Sequence, residues 1–99
     1  MMFWRKILKM LQLKVTNKFK KDLKRIQKQG RNLELLQDVL QLLLMETELD
    51  IKYRDHALTG NYVGFRECHI QPDWLLIYMI NHNDLILTAS RTGSHSDLF

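Results

Sequence analysis

The segment that decides the fold runs Phe65-Arg-Glu-Cys-His-Ile-Gln-Pro-Asp-Trp-Leu-Leu-Ile-Tyr-Met-Ile80. Residues 75–80 form an uninterrupted apolar run that is too short for most helices, so they predict a buried strand. The Gln-Pro-Asp segment before this run predicts a turn, because proline fixes φ and aspartate can hydrogen-bond to its own backbone. We therefore predict a β-hairpin whose tip carries His69, Asp73 and Trp74, a polar cluster on an apolar scaffold.

The strand that enters this hairpin, residues 62–70, alternates in character. Successive side chains of a strand point to opposite faces, so one face carries Phe65, Glu67 and His69 and the other carries Arg66, Cys68 and Ile70. The single cysteine excludes an intrachain disulfide. A small buried strand residue is a more common role for such a cysteine than a nucleophile.

Ahead of the hairpin, the sequence predicts one strand and two helices. Residues 12–16 alternate and predict a short strand, after which Thr16 or Asn17 can cap a helix. A narrow apolar stripe of helical period predicts that helix over residues 18–29, ended by Gly30. Asn32 can cap a second, broadly apolar helix over residues 32–47, which we expect to belong to the core.

The order of strand, helix, helix and three further strands, the last over residues 85–91, predicts an α+β fold. In it a helical hairpin packs on a small, mainly antiparallel twisted sheet. We predict one domain over residues 1–99, with residues 1–11 as an N-terminal extension. That segment is basic and amphipathic, so an interfacial anchor is the alternative. It lacks the apolar run of a signal peptide, and no segment approaches the ~20 residues that span a bilayer.

Charge is distributed very unevenly. Residues 1–31 contain eleven Lys or Arg and one acid, whereas residues 32–50 contain five acids and no base. So basic a block favours a polyanion such as nucleic acid, or an acidic protein, over a merely solvated helix face. The bases predicted to bind nucleic acid lie on the first helix: Lys18, Lys20, Lys21, Lys24, Arg25 and Lys28.

The last 44 residues hold a set of side chains suited to cutting RNA by attack of its own 2′-OH on the adjacent phosphate. That reaction needs a base, an acid and a cation for the charge that gathers on the phosphoryl oxygens, and histidine is suited to proton transfer near neutral pH. No metal or cofactor is required. The candidates for proton transfer and phosphate binding are His56, His69, Asp73, Arg91 and His95, and flat faces for bases come from Trp74 and Phe99.

Structural alternatives exist for several of these residues. Trp74 opens an apolar strand and is equally suited to the core, and Arg91 could pair with Asp97. His82 lies in a predicted turn and is expected to be solvated. A zinc site built from the histidines and Asp73 is a competitor, but the spacings match no standard zinc pattern.

Three phrases resemble the YafQ branch of the RelE/ParE toxin superfamily. They are Asp55-His-Ala-Leu-Thr-Gly60, Gly64-Phe-Arg-Glu-Cys-His-Ile-Gln-Pro-Asp-Trp-Leu-Leu-Ile-Tyr78 and Arg91-Thr-Gly-Ser-His-Ser-Asp-Leu-Phe99. The spacing of Thr16, Phe19, Asp22 and Arg25 also fits the first helix of that family. The resemblance covers about residues 12–99.

This resemblance implies a bacterial type II toxin that acts as a ribosome-dependent endoribonuclease on mRNA in the A site. It implies His56 as general base, His95 as general acid and Arg91 as phosphate ligand. It gives His69, Asp73 and Trp74 roles in acid–base work and substrate contact, and Phe99 a role in holding an mRNA base. The expected partners are a cognate antitoxin, the ribosome and mRNA, with operator DNA bound only together with the antitoxin.

We expect a cytoplasmic protein without a membrane partner. The alternative function is a non-catalytic basic toxin on the same fold, such as a gyrase inhibitor, or another nucleic-acid-binding module. Such a binder has no need of the histidine set, so the histidines favour the nuclease.

Overall fold

A computed structural model describes residues 10–99, and most of the predicted N-terminal extension therefore lies outside the described residues. The strands are β1 (Gln12–Val15), β2 (His56–Ala57), β3 (Arg66–Gln71), β4 (Trp74–Asn81) and β5 (Ile86–Gly93). The helices are α1 (Asn17–Lys28), α2 (Leu33–Leu44) and α3 (His95–Leu98), and single 3-10 turns cover Ile51–Tyr53 and Gly60–Tyr62. The predicted α+β class is confirmed.

Local sequence signals set the bounds of the two long helices. The Thr16 side chain caps α1 by accepting a hydrogen bond from the Phe19 amide at 3.0 Å, and Asn32 caps α2 through the Glu34 amide at 3.0 Å. Gly30 follows α1 with φ of +76°, a conformation that glycine adopts without the penalty of a Cβ. These caps place the helices within about three residues of the predicted bounds.

The sheet has the strand order β1-β5-β4-β3-β2. β1 pairs with β5 in parallel, and the other three pairings are antiparallel, which confirms a mainly antiparallel sheet. β1 stops at Val15, opposite Ala89, while β5 continues to Gly93. The last residues of β5 therefore meet helix α1 at the outer edge of the sheet instead of another strand.

Helices α1 and α2 cover one face of the sheet and bury the main core. Strand β4 sends Trp74, Leu76 and Tyr78 into this core, where they meet Phe19 and Ile26 of α1 and the apolar side of α2. The other face carries a smaller cluster built on Leu75, Ile77 and Leu98, with Leu58, Tyr62 and Phe65 packed against it. The register places His56, His69 and Arg91 on this second face.

Three parts of the fold differ from the sequence prediction. The hairpin strand begins at Arg66 rather than at residue 62, because Gly60–Tyr62 forms a 3-10 turn. β2 is only two exposed residues long, too short to give a periodic signal. Residues 95–98, for which the sequence predicts no element, form α3, whose N-terminus is held by a capping box between Ser94 and Asp97.

The boundary of the predicted extension also needs adjustment. Leu11 is buried in the main core, and its amide donates to the Leu44 carbonyl at the end of α2. The extension therefore ends before Leu11, and the assignment of residues 1–9 to the same domain stays a prediction. Among residues 10–99, the helices are too short and too polar to cross a membrane.

Candidate active site

One row of side chains crosses four strands on the second face of the sheet. The pairing register places His56 opposite Glu67, Glu67 opposite Ile77 and Ile77 opposite Arg91. Side chains directly opposite one another in adjacent strands share a face. With a strand spacing of about 4.8 Å, the row spans roughly 14 Å from the first Cα to the last. The structure thus gathers a histidine, a carboxylate and an arginine on one face of the sheet.

Glu67 lies between two of the predicted histidines. Its Oε1 is 3.5 Å from Nε2 of His56 and 3.8 Å from Nε2 of His69, and its side chain is only 9% exposed. The second ring nitrogen of each histidine faces a backbone carbonyl, since Nδ1 of His56 lies 2.7 Å from the Arg54 oxygen and Nδ1 of His69 lies 3.4 Å from the Pro72 oxygen.

A carbonyl oxygen can only accept a hydrogen bond, so the short contact to Arg54 places a proton on Nδ1 of His56. In the neutral ring, Nε2 is then the basic nitrogen, and it is the one beside Glu67. The Arg54 carbonyl thus orients the ring through Nδ1, and Glu67 lies beside the basic nitrogen itself, where it can accept a hydrogen bond only once Nε2 is protonated.

Arg91 is held by a buried carboxylate from helix α1. Its Nε donates to Oδ2 of Asp22 at 2.7 Å, and its Nη2 donates to Oδ1 at 3.2 Å. These hydrogen bonds raise the pKa of the Arg91 guanidinium, and the Tyr62 phenol adds to the rise. The expected alternative pairing of Arg91 with Asp97 is not seen, because Asp97 pairs with Arg25 instead.

The chain end supplies an aromatic cluster beside this row. Phe99 lies against the His95 ring, with centroids 5.0 Å apart, and meets Tyr62 edge-on at 5.5 Å. Leu98 packs on Leu75 and Ile77, which fixes α3 on the same face as Glu67 and Arg91. Phe99 is 53% exposed and so retains surface on which a base can stack.

Trp74 requires a correction. The prediction that it offers a flat face to a base is wrong in this structure, because its side chain is 0% exposed in the main core. Its Nε1 donates to Oγ1 of Thr92 at 2.8 Å, and the Arg31 guanidinium lies 5.5 Å from the ring centroid. A tryptophan that opens an apolar strand is thus a core residue here, as the alternative assignment allowed.

Asp73 lies at the hairpin tip as predicted, but its contact is with Arg31 at 3.4 Å rather than with a histidine. The tip residue His69 points toward Glu67 and the Pro72 carbonyl. Glu67, rather than Asp73, is therefore the carboxylate that the fold places beside the imidazoles. A catalytic role for Asp73 stays a prediction.

The basic face of α1 is largely as the sequence predicts. Lys18, Lys20, Lys21, Lys24 and Lys28 are exposed. Arg25 is different, because its Nη2 donates to Asp22 at 2.9 Å and its Nε lies 3.5 Å from Asp97. Arg25 therefore belongs to an ion network with Asp22 and Asp97 while its side chain stays 36% exposed, and its assignment to the RNA-binding surface stays a prediction.

Cys68 has no place in the site. It is fully buried on the helix-covered face, and burial raises the pKa of its thiol to about 12. His82 lies at the β4–β5 turn and contacts Glu46 at 3.2 Å, with its side chain 73% exposed. Within residues 10–99, no three His, Cys, Asp or Glu side chains converge as metal ligands would.

Comparison with known proteins decides the family. The family described as "Bacterial toxin of type II toxin-antitoxin system, YafQ" matches residues 11–99. The chain is 36% identical over 88 residues to the mRNA interferase toxin YafQ of Escherichia coli K12, covering 88% of this chain and 94% of that protein. The chain belongs to the YafQ toxin family.

Solved structures of YafQ and related toxins share this fold. The toxin in the E. coli DinJ-YafQ complex superposes with a TM-score of 0.82 at 34% identity, covering 90% of this chain and 98% of that one. A metal-bound toxin from Helicobacter pylori gives a TM-score of 0.86 at 47% identity, covering 91% and 100%. The resemblance to YafQ toxins and the α+β architecture expected from it are confirmed.

In this YafQ-family toxin, the fold brings three residues to the site that are not among the candidates from the sequence. For Glu67 the strand alternation is the available signal, because it places this residue on the same face as His69. Tyr62 gave no signal, because a turn rather than the strand carries it. Asp22 entered only through the family spacing, and its partner lies 69 residues away along the chain.

Proposed function

We propose that this toxin is an mRNA interferase that cuts ribosome-bound mRNA by attack of the 2′-OH on the adjacent phosphate. One observation carries the proposal: His56, Glu67 and Arg91 lie in one row, on the face that also carries His95. This face therefore offers a base, an acid and a cation, the groups that the reaction needs.

In this mechanism His56 is the general base. Its Nε2 takes the proton of the 2′-OH while Nδ1 stays hydrogen-bonded to the Arg54 carbonyl. The Arg54 carbonyl holds the ring in that orientation, and Glu67 faces Nε2 and stabilises the imidazolium that forms. His69, on the other side of Glu67, positions the same carboxylate.

At the other end of the row, Arg91 binds the scissile phosphate. Charge gathers on the phosphoryl oxygens as the 2′-oxygen attacks, and a preorganised guanidinium stabilises it. His95 gives a proton to the leaving 5′-oxygen, which completes the cleavage. Phe99 holds a base by stacking, next to His95.

The basic face of α1 would supply most of the binding strength. Five exposed lysines on one helix fit contacts to ribosomal RNA phosphates, which give affinity without sequence specificity. By this proposal the toxin acts in the cytoplasm, where ribosomes are. The cut itself uses protein side chains and needs no metal ion.

A cognate antitoxin would neutralise this toxin, as the E. coli relative is found in a DinJ-YafQ complex. We further propose that operator DNA is bound only by the toxin–antitoxin complex. The exposed lysines of α1 give affinity for phosphates without base readout, and the site face suits a single strand with exposed bases rather than a duplex.

Cleavage of programmed ribosomes tests the function directly. The toxin is added to purified ribosomes that hold a defined mRNA, and the products are mapped by primer extension. We expect a cut in the A-site codon, with a 2′,3′-cyclic phosphate on the upstream product, and no cut in the same mRNA without ribosomes. Toxin stripped of metal with a chelator and then dialysed should cut at the same rate.

A basic toxin that acts on gyrase predicts a different outcome. In that case the mRNA stays intact and induced cells accumulate broken DNA. That result would rule out the nuclease proposal. The site face argues against this alternative, because a pure binder has no use for a carboxylate held between two imidazoles.

The role of the basic face is testable through salt dependence. Replacing Lys18, Lys20, Lys21 and Lys24 with glutamine should weaken ribosome binding and flatten its dependence on salt, by about one unit of slope for each phosphate that is no longer bound. Glutamine preserves helix propensity, so the fold should be unaffected. Binding is measured by pelleting with ribosomes across a salt series.

The matched control neutralises two acids on the other helix, Glu34→Gln with Asp38→Asn. Both residues are exposed, and this variant should bind no more weakly than the unaltered protein. An unchanged salt slope in the four-lysine variant would show that the lysines of α1 do not bind ribosomal phosphates.

A further inference from the structure

Asp22 is a buried carboxylate whose hydrogen-bond donors come from three different residues. It is 2% exposed, and its two oxygens accept from Nε and Nη2 of Arg91, from Nη2 of Arg25 and from the Thr92 amide. A buried carboxylate is costly unless its lone pairs are satisfied in this way. The proposed reaction assigns no role to it.

The location of Asp22 explains why this carboxylate is needed. β1 ends at Val15, so the outer edge of β5 beyond Ala89 has no strand partner. The Thr92 amide would be unpaired there, and Asp22 accepts its hydrogen bond at 3.1 Å. The same oxygen accepts from Arg91, so the carboxylate ties the guanidinium to the backbone of the strand that carries it.

A guanidinium has two edges on which it can make paired hydrogen bonds. Asp22 takes the edge formed by Nε and Nη2 of Arg91. The edge formed by Nη1 and the second Nη2 proton suits the oxygens of a phosphate, which Arg binds in the same bidentate manner. Among the described residues, the side-chain hydrogen bonds of Arg91 go only to Asp22.

We infer that Asp22 is the positioning residue for the proposed phosphate site, fixing Arg91 so that its outer edge meets the scissile phosphate. This inference rests on the proposed function and adds a residue to it. Arg25 stabilises this arrangement, because its Nη2 donates both to Asp22 and, at 3.3 Å, to the Thr92 carbonyl. Gly93 leaves room for it, since a Cβ there would lie 2.7 Å from Nη2 of Arg25.

The test replaces Asp22 with asparagine, which has nearly the same shape. The asparagine amide is a donor and would face an Arg91 N–H group, so the paired contact cannot form. We expect kcat on programmed ribosomes to fall by about 100-fold, the cost of a misplaced catalytic group. KM should not rise, because a negative charge beside the guanidinium has been removed. All rates are taken per folded molecule.

A double-mutant cycle separates positioning from general support of the fold. If Asp22 acts through Arg91, then adding Asp22→Asn to Arg91→Ala should cost nothing further in kcat. The inference would be overturned if the fold-loss of kcat in the double variant equalled the product of the two single losses. An unchanged kcat in the single Asp22→Asn variant would also overturn it. Asp38→Asn on α2 is the matched control, an exposed aspartate whose loss should leave kcat as it was.

A measurement without RNA keeps this inference separate from the proposed function. The Arg91 Nε–H resonance should exchange slowly with solvent in the unaltered protein and at least tenfold faster in Asp22→Asn. If the protein cut no mRNA at all, the proposed function would fail, and this exchange rate would still report whether Asp22 holds Arg91. Equal exchange rates in the two proteins would overturn the positioning role.

Discussion

Replacing His56 or His95 with alanine is expected to lower the rate of mRNA cleavage by about 10²- to 10⁴-fold each, the usual contribution of a positioned acid or base. Both side chains are exposed, so neither change should unfold the protein. The rate is measured in single-turnover reactions on programmed ribosomes. Growth arrest after induction should disappear in parallel.

The pH dependence of the rate distinguishes the two roles. A bell-shaped profile in the unaltered protein should lose its acid-side limb when the base is removed and its alkaline-side limb when the acid is removed. His82→Ala is the matched control, because His82 lies at the distant β4–β5 turn, where its ring pairs with Glu46. Full cleavage by both the His56 and His95 variants would refute the catalytic assignment.

Replacing Trp74 with alanine is expected to cost about 3–5 kcal/mol of folding free energy, as for other large buried aromatic residues. The change opens a cavity in the main core and leaves Oγ1 of Thr92 without the indole N–H donor. For a domain of this size the melting temperature should fall by more than ~10 °C. Thermal unfolding followed by circular dichroism measures it.

Phe99→Ala supplies the contrast. Phe99 is half exposed, so its removal should change stability by less than about 1 kcal/mol and yet lower cleavage, because the base no longer stacks on it. Trp74→Phe retains most of the buried volume and should retain most of the stability. If Trp74→Ala were as stable as the unaltered protein and failed only in RNA binding, the core assignment would be wrong.

Much of the fold could be predicted because its signals are local. Thr16 and Asn32 cap helices through contacts with amides two or three residues away, and the apolar run of β4 is visible as a run. The two-residue β2 could not be predicted in the same way. It forms because Glu67 and Arg66 of β3 lie beside His56 and Ala57, a long-range pairing that no short window contains.

The sequence indicates which residue types could form the candidate site, but not which side chains contact one another. Histidine is the side chain best suited to proton transfer near neutral pH, and with only four in the chain each can be assessed as a candidate acid or base. Trp74 was misassigned because an aromatic residue beside a polar turn has the same sequence pattern whether its ring is buried or exposed. Asp22 and Glu67 are not found from the sequence, because the residue type of an acid does not indicate which cation or imidazole it will contact. Each contacts its partner only once the tertiary structure has formed.

The cross-strand row also links catalysis to the correctness of folding. Along β3 the side chains alternate, with Glu67 and His69 on the site face and Cys68 and Ile70 in the helix-covered core. A slip of one residue between β3 and β4 would exchange these two sets, removing the carboxylate and an imidazole from the site and burying them. Under the proposed mechanism, a misaligned chain would then be both unstable and unable to cleave mRNA.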